Sequence, residues 1–596
     1  NSIMKINHVK CYKKDYPRPQ FVRESWLNLN GEWDFVFDDK NIGETEGYYR
    51  EFPRESLKIQ VPFCYLCADS GIGKTERHDN VWYAKKITLD ENQIGGMVNL
   101  TFEGSDFVTK VWINGTYIGS HVGGYSRFAF DITHFLSDGE NLIVVKVEDN
   151  NDMDRPRGKQ RTLDHNYGCW YEETTGIYKT VWLDFSSKEA FRSVEINPVY
   201  DAQSVEFIFD VPLWQDKVAH AEVWLHGKLV AAGSIRLKGN YERLEMALFS
   251  GVDEWETTAW DTSCPALYDV KFTLCDRSGS VLDEVGSYFG FRQIRILGDR
   301  ILLNNDPIYL KMILDQGYWS SSHLTPPDED AILKDVLLIR EAGFNGVRKH
   351  QKIEDERFYY YCDVLGVLVW CEMPSCYRFT DHAVESTVQA WQEIVKQMRN
   401  HPSIMTWVPF NESWGVKNIQ GSDAQQNYTR SVYYLTKTLD RQKRPVISND
   451  GWEHTISDIV TLHNYDQHGT ELLAAYADKE KTVKNMQVAG DSIRTVFAKG
   501  NHYKGQPIII SEYGGIALQD GASDAWGYGK KADGQEAYLK RLGGLTSAIK
   551  SMSYMCGYCL TQLTDVMQEK NGLFDMARTE KVPITKIKEI NDDQIF

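Results

Sequence analysis

A change of rhythm near residue 297 constrains this chain more than any other feature. From there on, short β-branched runs alternate with stretches of helical length. Strand candidates fall at Ile308–Ile313, Gly346–Arg348, Val367–Glu372, Ile404–Phe410, Val446–Asn449, Ile459–His463, Ile508–Glu512 and Tyr558–Leu563. Helical stretches such as Asp328–Ala342, Thr387–Arg399, Asp423–Asp440 and Gly534–Ser551 lie between them. Near-continuous apolar strands joined by helices form parallel sheets. Eight such units over about 300 residues is the arithmetic of a (β/α)₈ barrel.

A barrel of this kind carries its chemistry at the C-terminal ends of its strands. Here every end is polar: Asp315-Gln316, Arg348-Lys349-His350, Glu372, Asn411-Glu412, Asp450, His463-Asn464-Tyr465, Glu512 and Asp565. A barrel kept only for structure has no need of this at all eight ends. Two ends stand out. Ile404–Phe410 delivers Asn411-Glu412-Ser413-Trp414, and Pro507–Ser511 delivers Glu512-Tyr513-Gly514-Gly515. Strands four and seven can face each other across the mouth. Retaining hydrolysis of a glycosidic bond needs two carboxyls about 5 Å apart, one attacking the anomeric carbon and one protonating the leaving oxygen. Glu512 is then expected as nucleophile and Glu412 as acid/base. Asn411 would bond the sugar 2-hydroxyl, and Tyr465 or Tyr513 would donate to the nucleophile. Trp414 would wall the pocket and raise the pKa of the acid by desolvation. Asp315, Arg348 and His463, at the ends of strands one, two and six, are further candidates for substrate contact.

The chain before the barrel reads as β structure. Residues 1–185 show short alternating strands and an Asn114-Gly115 hairpin turn, the pattern of a jelly-roll sandwich. Residues 186–296 hold about seven short strands, the size of an immunoglobulin-like sandwich, without the Cys-Trp-Cys hallmark of antibody domains. Residues 297–596 are the expected barrel domain. The fold class is therefore multidomain, with two β-sandwiches ahead of a C-terminal α/β barrel.

Composition narrows the partners. A net charge of −18 gives no basic stripe for nucleic acid. No apolar run reaches the length of about 18 residues that spans a membrane, so no membrane association is expected. Eleven cysteines form no disulfide framework and suggest a reducing, cytoplasmic setting. The Cys64/Cys67 and Cys556/Cys559 pairs read as core sulfurs rather than zinc ligands, so neither metal nor other cofactor is expected. The 17 tryptophans suit pyranose stacking and large β cores equally. Asn1-Ser2-Ile3-Met4-Lys5 has no apolar leader, and Met4 reads as the natural start. The sequon Asn411-Glu412-Ser413 overlaps the expected site and reads as unused.

With these residues in view, the chain resembles glycoside hydrolase family 2, which includes β-galactosidases, β-glucuronidases and β-mannosidases. The resemblance runs the length of the chain: Asn30-Gly31-Glu32-Trp33, Trp260…Pro265…Leu267-Tyr268, Gly290-Phe291-Arg292, Phe344-Asn345-Gly346-Val347-Arg348, Asn411-Glu412-Ser413-Trp414 and Ser511-Glu512-Tyr513-Gly514. It implies a sugar-binding jelly roll, an immunoglobulin-like domain and a catalytic barrel. It also implies retaining exo-hydrolysis through Glu412 and Glu512, and a homo-oligomer, dimer or tetramer. Two departures bear on the sugar. Family members often follow the strand-two arginine with Ser-His-Tyr-Pro, where this chain has Arg348-Lys349-His350-Gln351-Lys352. Similar β-glucuronidases place Asn-x-Lys after strand eight, where this chain has Gln568-Glu569-Lys570-Asn571-Gly572. Lys349, Lys352 and Lys570 would still supply a cationic pocket for a uronate, or be solvated loop lysines. The magnesium ligands of the large β-galactosidases are not identifiable. The expected activity is that of a β-hexuronidase. The alternatives are a β-galactosidase and, from another class, a carbohydrate-binding protein with an inactive barrel.

Overall fold

The computed structural model describes residues 5–248, 257–484, 494–519 and 525–593; the expected start at Met4 lies outside them. Seven parallel strands curl into one sheet in the spatial order Ile404–Val408, Leu368–Glu372, Gly346–Lys349, Leu310–Asp315, Met555–Thr561, Ile508–Gly514 and Val460–His463. These match seven of the expected strands. The eighth, expected at Val446–Asn449, is not a ladder. It touches strand four only through the pairs Trp407/Val446 and Asn411/Asp450. Its other edge is bridged by side chains: Gly451 N–H donates to Thr461 Oγ1 at 2.8 Å, and Ser448 N–H to Ser457 Oγ at 3.2 Å. The polar run Ser448-Asn449-Asp450 bonds sideways instead of along a strand, so the barrel closes through an irregular fifth position.

The lower lumen is apolar. Leu310, Met312, Trp370, Met405, Ile447, Ile509 and Cys559 form one buried cluster, joined by Trp260 and by Ile294, Ile301 and Leu303 of a small antiparallel sheet. This packed floor confines polar groups to the C-terminal rim. The helices Glu329–Glu341, Asp381–Met398, Asp423–Leu439 and Gln535–Ser551 lie near the expected positions. Asp328, Thr380 and Ser422 each cap a helix by accepting a backbone N–H, the usual means of satisfying first-turn donors. No helix among the described residues is long and apolar enough to cross a membrane.

Ahead of the barrel, a six-stranded sheet (Leu57–Val61, Gly31–Phe37, Asn80–Leu89, Gly139–Glu148, Val108–Ile113, Thr116–Val122) and a four-stranded sheet (Trp26–Asn28, Val181–Ser186, Met97–Phe102, Phe128–Asp131) contribute to a common core. Asn114 and Gly115 turn one hairpin with φ of 49° and 82°, the left-handed pair a two-residue hairpin requires. A three-stranded and a four-stranded sheet follow around a Phe-rich core. Cys64 and Cys67 donate to the carbonyls of Thr175 and Cys64.

The first β part also lends a loop to the barrel rim. Arg157 and Gly158 N–H both donate to Ser375 O, and Tyr377 OH donates to Gly158 O at 2.5 Å. Gly158 has φ 64°, and a Cβ there would stand 2.3 Å from Gln351 O. Glycine is therefore required on both grounds. Gly158→Ala is expected to lower stability by about 1–3 kcal/mol, read as the urea midpoint. An unchanged midpoint would show that the loop is not pinned to the rim.

Candidate active site

The rim is built around Arg348, which is wholly buried at the end of strand two. Its Nε lies 2.6 Å from Glu372 Oε2 and 2.9 Å from Asp450 Oδ2. Nη1 donates to Glu512 Oε2 at 2.7 Å and Nη2 to Asn411 Oδ1 at 2.8 Å. Strands three, four and seven and the irregular fifth position thus each supply one acceptor to a single planar fork. Burial opposes the guanidinium charge, but Asp450, Glu372 and Glu512 outweigh it and hold its pKa well above the ordinary value. Burial also pushes the Glu372 carboxyl up to about 7 against the pull of Arg348. For Asp450 the burial penalty is outweighed, and Arg348 with His463 holds it well below the carboxylate range.

Glu512 has a donor on each oxygen: Arg348 on Oε2, and Tyr465 OH on Oε1 at 2.5 Å. Tyr465 is itself held by Thr561 and stacked on Tyr528, centroids 3.5 Å apart. Glu412 sits in a tight turn with φ 52°, followed by Ser413 at 57°. Left-handed backbone at a non-glycine costs about 1–3 kcal/mol and persists where its surroundings enforce it. They do so here: Glu412 N–H donates to Asp450 O, Ser413 N–H to Asn449 Oδ1, and Ser413 Oγ to Glu453. The turn leaves the Glu412 side chain 21% exposed, against 6% for Glu512.

His463 stands between the two acids. Its Nδ1 is 2.8 Å from Glu412 Oε2 and its Nε2 3.3 Å from Glu512 Oε2. One oxygen of each acid and a His463 nitrogen all lie within 4.8 Å of one another. Burial would lower the pKa of His463, but the Glu512 charge, with Asp450 and Glu412, lifts it to about 10. Burial raises Glu412, yet the hydrogen bond and charge of His463 outweigh this and hold it below its ordinary value. Both shifts favour an imidazolium beside a carboxylate. By distance alone these three residues could surround a cation. Both Glu512 oxygens already accept from protein donors, and a cation there would have to displace any proton on His463.

The other expected site residues divide. Asn411 spends its Oδ1 on Arg348, while its buried Nδ2 has no partner among the described residues. Trp414 stands edge-on to Trp170 and Tyr377, and its Nε1 has no partner among the described residues. Tyr513 donates or accepts at Thr546, so Tyr465 is the tyrosine on Glu512. Lys349 and Lys352 do not supply the cationic pocket expected of them. Both are completely buried: Lys349 pairs with Asp315 at 2.8 Å and Glu354 at 3.1 Å, and Lys352 with Glu354 at 2.7 Å. Asp315 is thereby spent on Lys349 and is not free to meet a sugar. Lys570 lines a cavity of about 490 Å³ with Tyr167, Trp526 and Gln568. Three groups that sequence reasoning missed also face the rim: Lys159, Tyr528 and Glu569. Tyr528 and Glu569 lie in loops after strands seven and eight; Lys159 comes from the first β part and carries no signal in the sequence.

Fold and rim together define a class: chains that carry a (β/α)₈ barrel with a facing carboxylate pair behind two β parts. Models of that class match nearly the whole chain, as the family 2 sugar-binding domain over residues 26–184, the family 2 central domain over 192–292 and the family 2 TIM barrel domain over 294–542. The chain belongs to glycoside hydrolase family 2. It is 26% identical over 450 residues to a putative β-glucuronidase of Formosa agariphila, covering 72% of this chain and 52% of that protein. It is 27% identical to a β-galactosidase of Thermoanaerobacter pseudethanolicus over 65% of this chain and 52% of that protein. A β-glucuronidase of Paenibacillus borealis is 23% identical over 84% and 85% of the two chains. The chain thus spans about half the length of the first two relatives. Among solved structures, Ruminococcus gnavus β-glucuronidase with uronic deoxynojirimycin superposes with a TM-score of 0.78 at 21% identity, over 96% of this chain and 99% of that one.

Replacing Lys349 by Met leaves Asp315 and shares Glu354 with Lys352 alone, so the variant should lose about 3–5 kcal/mol of stability, the cost of breaking a buried pair. Chemical denaturation checks this; a loss below about 1 kcal/mol would place Lys349 outside the buried network.

Proposed function

We propose that this protein is a retaining, exo-acting β-glycosidase whose substrates are terminal β-linked hexuronides. The observation that carries the reaction type is the approach of one Glu412 oxygen to one Glu512 oxygen within 4.8 Å. So close an approach suits the short carboxyl separation of a retaining enzyme better than the wider gap that an inverting enzyme keeps for its water. The division into a sugar-binding part over 1–185, a sandwich over 186–296 and a catalytic part over 297–596 belongs to the same reading. Eleven unpaired cysteines support a reducing, cytoplasmic setting, and a homo-oligomer is part of the proposal on family resemblance alone. The reaction needs no cofactor.

In the first step a Glu512 oxygen attacks the anomeric carbon while the glycosidic oxygen departs with a proton from Glu412. Sugar and Glu512 are then joined as an ester. Arg348 and Tyr465 fix the attacking carboxylate, and Asn411 Nδ2 is the free donor for the 2-hydroxyl. The proton rests on His463 in the free enzyme. Glu512 is the strongest influence keeping it there, and attack removes that charge. The proton is then released along the 2.8 Å bond to Glu412 and on to the leaving oxygen. In the second step Glu412 takes a proton from water, the water oxygen bonds to the anomeric carbon and the ester breaks, returning Glu512 as carboxylate, whose charge draws the proton from Glu412 back to His463.

The sugar rests on the glucuronidases among the relatives and on a cation in the rim. The loop Glu569-Lys570-Asn571, which departs from Asn-x-Lys, favours a β-galactoside as second reading. A panel of nitrophenyl β-glycosides separates the two. Glucuronide or galacturonide should turn over fastest, with the β-anomer appearing first by NMR, and Glu512→Gln should cut turnover by more than about 1,000-fold, the scale of losing a nucleophile. An α-anomer as first product, or an active Glu512→Gln, would refute the mechanism.

Glu512→Gln should also lower the pKa of His463 from about 10, since it removes the charge that holds the proton. Long-range ¹H–¹⁵N NMR reads the imidazole directly; a titration unmoved by the substitution would remove His463 from the proton path.

A further inference from the structure

The loop that the first β part lends to the rim carries an ammonium group with no carboxylate in ion-pair contact among the described residues. Lys159 is 6% exposed. Among the described residues its Nζ donates only to Cys169 Sγ, at 3.2 Å, and lies 5.5 Å from the centre of the Trp170 ring. No ion pair within 4.0 Å forms to it among those residues. The other buried lysines of the rim differ: Lys349 and Lys352 have carboxylates, and Lys179 has the carbonyl of Ile353 at 2.8 Å. An ammonium has three donors, and the one hydrogen bond to Cys169 leaves capacity for a further acceptor.

Its place is over the barrel mouth. The Trp170 ring beneath it meets Trp414, two residues beyond Glu412, at 5.5 Å and Tyr377 at 5.9 Å. Its charge acts on Glu412 at strand four, on His350 at strand two and on Glu569 in the loop after strand eight. A charge felt on three sides of the ring stands near the mouth that they enclose. Glu569 completes the surroundings. Its oxygens accept from Tyr171 OH at 2.8 Å and Gln562 Nε2 at 2.5 Å. Burial pushes its carboxyl up to about 7 despite Lys159, so near neutral pH it repels an incoming anion less than a full carboxylate would.

We propose that Lys159 binds the carboxylate of the terminal hexuronosyl unit, taking the role that Lys349 and Lys352 cannot fill. The inference rests on the hexuronide reading and assigns the residue that reads the sugar. The carboxylate of a hexuronide sits on C5, beside the ring oxygen and close to the reacting carbon. A third anion entering a mouth that already holds Glu412 and Glu512 requires a cation, and a charge-assisted bond to Lys159 supplies it. A neutral hexoside makes no such demand.

Lys159→Met keeps the length and apolar stem of the side chain and removes the charge; Lys159→Arg keeps the charge. For the nitrophenyl β-hexuronide that the wild type hydrolyses, Lys159→Met should lower kcat/KM by at least about 30-fold, mainly through KM, the scale of a lost charge-assisted bond. Hydrolysis of the neutral β-hexoside of the same configuration should change by less than about 3-fold. Free uronate should inhibit wild type competitively and lose that inhibition in Lys159→Met, and Lys159→Arg should restore a large part of it. Matching thermal midpoints confirm that the variants fold. An equal loss on both glycosides, or no loss on either, would overturn the assignment. A wild type that neither hydrolyses a hexuronide nor is inhibited by uronate would overturn the hexuronide reading, and the assignment with it; that failure is distinct because it shows before any substitution.

Discussion

A guanidinium with no access to water must find its acceptors in the protein, and the rim of this barrel is arranged to provide them for Arg348. Glu372, Asn411, Asp450 and Glu512 come from four different positions around the ring and converge on one planar group. Taking such charges out of water is costly unless geometry and hydrogen bonding are nearly complete. The reward is orientation. Glu512 cannot rotate without abandoning Arg348 and Tyr465, and Asn411 cannot turn its Oδ1 away. The irregular fifth position follows from the same demand: Asp450 turns inward to the arginine, and its neighbours bond through side chains where a ladder would otherwise run.

The charge pattern around this hub separates the two acids. Glu512 is enclosed and bonded at both oxygens. Glu412 is lifted on a left-handed turn, partly open, and tied to one protonated imidazole. Two carboxylates of the same residue type thereby acquire different surroundings, which is the asymmetry that the proposed double displacement asks of its two acids.

The frame was readable in the chain because strand runs and their polar ends follow local rules. Ile404–Val408 is a mostly apolar run that leads on to Glu412, and Ile508–Gly514 opens on three isoleucines and carries Glu512 near its end; that signal needs no tertiary knowledge. The helix Glu356–Leu365 escaped notice because nine of its residues are buried, leaving no polar face to mark a period. Lys349 and Lys352 misled for a related reason. A cationic run after a strand end resembles a solvated loop, and only the fold brings Asp315 and Glu354 against it. Lys159 was hidden by the opposite effect. Arg157-Gly158-Lys159-Gln160-Arg161 looks like a charged surface turn, and nothing local says that it docks on a barrel beginning more than a hundred residues later.

That docking has a consequence for how such a protein can be built and divided. Gly158 is pressed against Gln351, Tyr171 reaches Glu569, and Trp170 packs on Trp414. The wall of the pocket is therefore borrowed from another part of the chain. The barrel is not a cassette that can be cut out and grafted elsewhere with its selectivity intact. It would take its two acids with it and leave behind part of the wall that faces them across the mouth.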